Sequence, residues 1–385
     1  MATKREFVDR ARALAPKFAA RAEAAEEARR IPPESVREML DAGFARVLVP
    51  TEIGGYGLGF DTWFEVQREL SKADASHGWC AGLITHHAHL IAQFPKTAQE
   101  TLWAKSLDVP VAASFAPLVK AVVADGGYRV SGQGSPFASG VDHCPWVMLG
   151  GMAHDGGAPE WRFFLVAPGD YTVKDTWFTA GMRATGSKSI VTDNAFVPHG
   201  LVLSLSDLRD GKTPGGALYS DVIFHTPFFY YAPLCFATPM LGAVQGAYEL
   251  FREWTKTRKT QDGSPMANMV SVQTRMARAA ADIDAAELLI RRIVHVTDAP
   301  DAYSPVLLAR TVRDYARASE LMVSAIDMLV ALSGTAGFNS SHPIQRAWRD
   351  IHFMSMHISL NVETNYTHYG RMELGLGRDA SRPYF

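Results

Sequence analysis

The chain has 385 residues, 47% of them hydrophobic, with a formal charge of −2. That is enough apolar material for a large multi-layer fold, and no Lys/Arg run could follow a phosphate backbone or an anionic bilayer, so neither nucleic acid nor membrane is expected as a partner. Three widely spaced cysteines, Cys80, Cys144 and Cys235, suit a reducing compartment better than a disulfide framework. The N-terminal stretch is charged and amphipathic, with no apolar leader core, so a cytoplasmic protein is expected.

The order of patterns divides the chain into three. Residues 1–110 read as helical: "REFVDRARALAPKFAARAEAAEEARR" carries alanine and charge at helical spacing, and "PPESVREMLDAGF" opens on prolines and closes on glycine. Over 111–225, short β-rich runs such as "KAVVADGGYRVSG", "WRFFLVAP" and "SIVTDNAFVP" alternate with turn residues, which predicts a small antiparallel sheet domain. Over 226–385, four long periodic segments with short joints predict an antiparallel four-helix bundle, the last running from Pro343 through "RAWRDIHFMSMHISLNVETNYTHYG". The fold class is therefore mostly α with a central β domain.

Histidines stand out. In "GWCAGLITHHAHLIAQF" (Gly78 to Phe94) no proline interrupts the segment from Cys80, and it is read as a helix. His87 shares a stripe with Leu83, Leu90 and Phe94 and is expected to face the interior, whereas His86 and His89 share the other side with Gly82 and Gln93 and are expected on a more polar surface. The His86/His89 pair has metal-ligand spacing, but no acid or cysteine nearby completes a shell, so no metal is expected. His357 is placed on the last bundle helix, facing inward between Phe353 and Leu360, with Asp350 and Asn361 within two turns to fix its tautomer. Either histidine could equally be a hydrogen-bonded core residue. A run of aromatics in "VIFHTPFFYYAPLCF", Val222 to Phe236, is a core segment or the wall of a pocket for a flat ring.

There is no G-x-G-x-x-G fingerprint and no P-loop. Instead four strings, "VPTEIGGYGL", "PFASGVDHCPWVMLGG", "GMRATGSKSIVTDNAFVP" and "SGTAGFNSSHPIQRAWRDIH", taken in this order across three domains, resemble the acyl-CoA dehydrogenase fold and, within it, the flavin-dependent monooxygenases that are oxygenase components of two-component aromatic hydroxylases. The alternative, an acyl-CoA dehydrogenase-like or nitroalkane-oxidising flavoprotein, needs a carboxylate base, and after Asp350 no acid follows until Glu363.

The resemblance implies a flavin between the β domain and the bundle. Phe137, Ala138, Ser139 and Phe163 would line its ring and Trp79 would border it. Arg258 would meet a phosphate, from a neighbouring subunit, and Thr335 and Ala336 would touch the cofactor through short side chains and backbone. Turn chemistry explains Ser139 and Thr335 equally well, and a solvated helix charge explains Arg258. Reduced FMN or FAD from a separate flavin reductase, with O₂, would form a C4a-hydroperoxide that oxygenates a phenol or an indole, chemistry that belongs to the cofactor. His87 and His357, with Ser139, would be the catalytic residues, one histidine activating the substrate and the other hydrogen-bonding the peroxide. A homotetramer assembled through the bundle is also implied.

Overall fold

The structure is a computed structural model that describes residues 2–298 and 303–378. Five helices precede the sheet: α1 (Lys4–Ala28), α2 (Pro33–Asp41), α3 (Phe60–Ala73), α4 (Ala75–Gln93) and α5 (Lys96–Leu102). Their ends follow local chemistry. Thr3 and Glu6 form a reciprocal capping box at the start of α1, and the Asp74 carboxylate accepts the His77 amide hydrogen at 2.9 Å to start α4. Helices α3 and α4 approach closely because Gly78 and Gly82 face Ser71 and Gln67; a Cβ at either glycine would overlap those side chains. The Trp63 indole then reaches the Gly82 carbonyl at 3.0 Å.

Seven strands follow: β1 (Val111–Ala124), β2 (Gly127–Gln133), β3 (Trp146–His154), β4 (Glu160–Val166), β5 (Thr172–Lys174), β6 (Ser189–Pro198) and β7 (Val202–Ser204). They form one sheet in the order β5-β6-β2-β1-β3-β4-β7. The expectation of an antiparallel sheet needs correction: β1 and β3 pair in parallel, so the sheet is mixed. The physical reason is the connection across 134–145, which carries the chain past β1 after the β1–β2 hairpin and sets β3 down on its other edge. The same pair is irregular. Its register shifts between Ser114 and Val119, which takes Phe115 out of the ladder and turns it toward α4, as bulges beside sites commonly do.

After short helices α6 (Leu205–Asp210) and α7 (Phe228–Tyr231), the bundle is built from α8 (Leu234–Thr257), α9 (Val270–Thr297) and α10 (Pro305–Gly337). The fourth predicted helix is not continuous. It is α11 (Pro343–Ser355) and α12 (Val362–Glu373), separated by a 3₁₀ turn at Ile358–Leu360. Asn361 accepts the Thr364 amide at 2.9 Å and starts α12 afresh. Residues 379–385 of the expected bundle domain lie outside the described residues.

Candidate functional site

Helix α4 supplies the spine of the site. It has no Asp, Glu, Lys or Arg, and every one of its residues is buried. The expected polar face for His86 and His89 is therefore corrected: both are buried, against α3 and α7 rather than solvent. His86 stacks on Trp63, with ring centroids 5.4 Å apart and planes 6° from parallel, and His89 stacks on Phe224 at 5.3 Å. The reason is that α4 lies between layers, with α3 and α8 on one side and the sheet on the other, so no side of it is left for water. Burial pushes the His86 ring well below the usual range and the His89 ring down to about 3.

The opposite stripe, Trp79, Leu83 and His87, faces the sheet and the loop before β3. His87 Nδ1 donates to the Val111 carbonyl oxygen at 2.5 Å. A carbonyl can only accept, so the neutral ring carries its hydrogen on Nδ1 and leaves a lone pair on Nε2. That Nε2 is buried and has no hydrogen-bond partner among the described residues. Burial lowers the ring pKa to about 4, against a smaller upward pull from the Val111 carbonyl. Around it stands Phe115, 6.1 Å from the His87 ring, which meets Phe163 of β4 edge-on at 5.3 Å and Phe228 at 5.8 Å.

Eight residues earlier, about 12 Å along the helix, Trp79 donates its indole N–H to Ser139 Oγ at 3.0 Å. Trp79 also lies 5.1 Å from Phe236 and 6.3 Å from His357, and the His357 and Phe236 rings stack at 3.6 Å. His357 does reach this neighbourhood, but not from a helix as expected. It follows the end of α11 in extended conformation and begins the 3₁₀ turn, and its Nδ1 accepts the Ser359 amide hydrogen at 3.2 Å. Asp350 and Asn361 do not fix its tautomer: Asp350 accepts the Met182 amide at 2.5 Å, and Asn361 caps α12. With Nδ1 an acceptor, the neutral His357 ring presents an N–H at Nε2, the opposite polarity to His87. Desolvation lowers its pKa to about 4.

Ser139 is buried and continues into a row of hydroxyls. Its Oγ lies 2.6 Å from Ser187 Oγ, which lies 2.7 Å from Thr185 Oγ1, which donates to the Met182 carbonyl at 2.8 Å. Ala138 is buried and its amide donates to the Lys188 carbonyl at 3.2 Å, while Phe137 is 59% exposed and packs edge-on to Trp177 at 6.2 Å. Phe115, Thr185 and Ser187 were not singled out from sequence. The two hydroxyls sit in "GMRATGSKS" among glycines, where turn chemistry hides a buried role.

Arg258, Thr335 and Ala336 are not brought to Ser139. Arg258 is exposed at the end of α8, 5.3 Å over the Trp254 ring, and 22 residues separate it from Phe236, about 33 Å of helix. Thr335 is exposed just beyond Gly334, whose φ of 58° interrupts α10, and Trp254 meets His342 at 5.9 Å near this same end. The single chain thus holds two groups of the expected cofactor residues at opposite ends of its bundle.

Family models match on both sides of the sheet: the acyl-CoA dehydrogenase N-terminal domain over residues 1–107 and the acyl-CoA dehydrogenase C-terminal domain over residues 234–362. Over 96% of its length the chain is 34% identical to the oxygenase component of the FADH(2)-dependent resorcinol hydroxylase of Rhizobium sp. (strain MTP-10005), covering 94% of that protein. Among solved structures it is similar to the 3-HSA hydroxylase of Rhodococcus sp. RHA1, with a TM-score of 0.91 and 32% identity over 98% of each chain. It is also similar to XiaF from Streptomyces sp., solved in complex with FADH2 and glycerol, with a TM-score of 0.90 and 30% identity over 97% of this chain and 96% of that one.

Proposed function

We propose how a reaction already fixed in kind is carried out here, because the chain belongs to the flavin-dependent monooxygenase oxygenase components built on the acyl-CoA dehydrogenase fold. It is the oxygenase of a two-component system: a reductase supplies reduced flavin, and one oxygen atom of O₂ enters an aromatic substrate. The dehydrogenase alternative has no support from Glu363, which is exposed on the first turn of α12.

The observation that carries the mechanism is the buried, unpartnered Nε2 of His87. Leaving a buried polar atom without a partner costs on the order of 1–3 kcal/mol, which is recovered if a ligand donates a hydrogen there. A phenolic hydroxyl is such a donor, and the Phe115 ring beside it, with Phe163 and Phe228 packed on Phe115, suits a flat ring better than a chain. His87 would then accept the hydroxyl proton as the ring is attacked, making the aromatic carbon more nucleophilic. His357, with an N–H at Nε2, would serve as the donor to oxygen. The bound flavin, when reduced, supplies the activation of O₂. Trp79 and Ser139 would border it, and the buried layers around α4 would keep water out.

The two relatives named with FADH2 favour FAD over FMN. Arg258, Thr335 and Ala336 would reach the distal part of a flavin held by another copy of the chain, since Arg258 stands about 33 Å along α8 from Phe236 and Thr335 and Ala336 lie at the far end of α10. A homotetramer through the bundle meets this need. Its supports are α10, whose most apolar 18-residue window is only 44% buried within one chain, and exposed Val270, Leu288 and Phe338. The three cysteines are free and buried, which favours a reducing, cytoplasmic setting.

The test is reconstitution. With FAD kept reduced by a separate reductase, the purified chain should hydroxylate simple phenols, and with oxidised FAD alone it should not. Equal product from a matched sample lacking the chain would overturn the reading.

A further inference from the structure

The row Trp79–Ser139–Ser187–Thr185 has a direction, and the direction has a chemical meaning. Thr185 Oγ1 is 2.8 Å from the Met182 carbonyl oxygen, so its single hydrogen is committed there. Its 2.7 Å contact with Ser187 can then be a hydrogen bond only if Ser187 donates, and the 2.6 Å contact of Ser187 with Ser139 only if Ser139 donates. Ser139 also accepts the Trp79 indole hydrogen at 3.0 Å. Its own hydrogen is therefore given to Ser187, and what remains on Oγ is one lone pair. All four side chains are buried, so water does not reset the direction.

We propose that Thr185 and Ser187 are positioning residues that lock the Ser139 hydroxyl as a hydrogen-bond acceptor, so that the site selects a flavin carrying hydrogen at N5 over the oxidised ring. This rests on the reading that Ser139 borders the flavin. Two-electron reduction converts N5 of the ring from an acceptor to an N–H donor. An acceptor hydroxyl matches the reduced ring and opposes a lone pair on the oxidised one. Reversing the row would require Thr185 to give up Met182, whose carbonyl also receives the Trp177 indole at 3.1 Å and the Thr185 amide at 3.2 Å. The lock is thus one hydroxyl-to-carbonyl bond, and removing it should shift the preference by about tenfold.

The experiment is the ratio of dissociation constants for oxidised and reduced FAD, measured anaerobically on the intact protein by quenching of intrinsic fluorescence. The native protein should bind the reduced form more tightly. Thr185→Val and Ser187→Ala should each reduce the ratio about tenfold, mainly because oxidised FAD binds better once Ser139 can donate, while Thr185→Ser should keep the native ratio. General loosening of the fold would weaken both forms and leave the ratio alone. A native ratio in both Thr185→Val and Ser187→Ala, with Ser139→Ala reduced, overturns the lock but leaves Ser139 at the flavin. A native ratio in Ser139→Ala as well overturns the placement of Ser139 itself.

Discussion

His87 gives its Nδ1 hydrogen to the Val111 carbonyl at 2.5 Å, and this one bond from α4 to the first residue of β1 decides which nitrogen can act on a substrate. His87→Ala should lower product formed per flavin oxidised by about 100-fold, the low end of what a positioned general base contributes. His86→Phe, which replaces a ring stacked on Trp63 rather than one facing the sheet, should retain most of the coupling. Because the His87 pKa is lowered to about 4, coupling should stay flat from about pH 5 to 8, and an acid limb near 6.5 would contradict the assignment.

Three buried neutral imidazoles make the fold sensitive to acid. The folded pKa values of His86, His87 and His89 all lie below the ordinary 6.5, with His87 at about 4 and His89 at about 3. Below pH 6.5 the unfolded chain binds more protons than the folded one, so stability falls as pH drops from 6.5 toward 4. For one ring the loss at pH 5 is up to about 2 kcal/mol. Thermal melts between pH 7 and 5 should therefore fall less steeply for His86→Phe than for the native protein.

Asp350 acts in the opposite sense. Burial, then the nearby Asp74 carboxylate, raise its pKa from 3.8 to about 7, against the Met182 amide that favours the charged form. A raised carboxyl pKa means the folded state holds the extra proton, so this stability is full below about pH 4 and lost as pH rises to about 7. Asp350→Asn keeps an acceptor for Met182 and cannot ionise. It should match the native melting temperature near pH 4.5 and exceed it at pH 8; a lower value at pH 8 would contradict the assignment.

Arg258 offers a test of assembly. If it completes a flavin site on another copy, an Arg258→Ala subunit spoils its neighbour's site and a His357→Ala subunit spoils its own, so in a mixed pair both defects fall in one site and the other is intact. Each variant alone should show little hydroxylation, and mixing them with subunit exchange should restore a measurable fraction. No recovery in verified mixed oligomers would place Arg258 outside the site.

The order of helices, sheet and bundle was legible because each has its own period, and the family strings fall in all three parts in the same order. Faces were less legible. Assigning His86 and His89 to a polar side assumed that α4 has a wet side, although its lack of any charged residue already pointed to burial all round. The break before His357 was hidden because "SMHISLN" keeps helical spacing of apolar residues, while its His and Asn act as caps. The parallel β1–β3 pair could not be read, since register between strands separated by a long connection depends on tertiary packing. The hydroxyl row is likewise a product of the fold, joining α4, the loop before β3 and the turn before β6.

The most direct test of the central claim uses isotopically labelled dioxygen with reduced FAD and a phenol, comparing the native protein with His87→Ala. One labelled oxygen atom should appear in each hydroxylated product molecule of the native enzyme, and the variant should consume reduced flavin with almost no labelled product. Unlabelled product, or labelled product at native yield from His87→Ala, would contradict it.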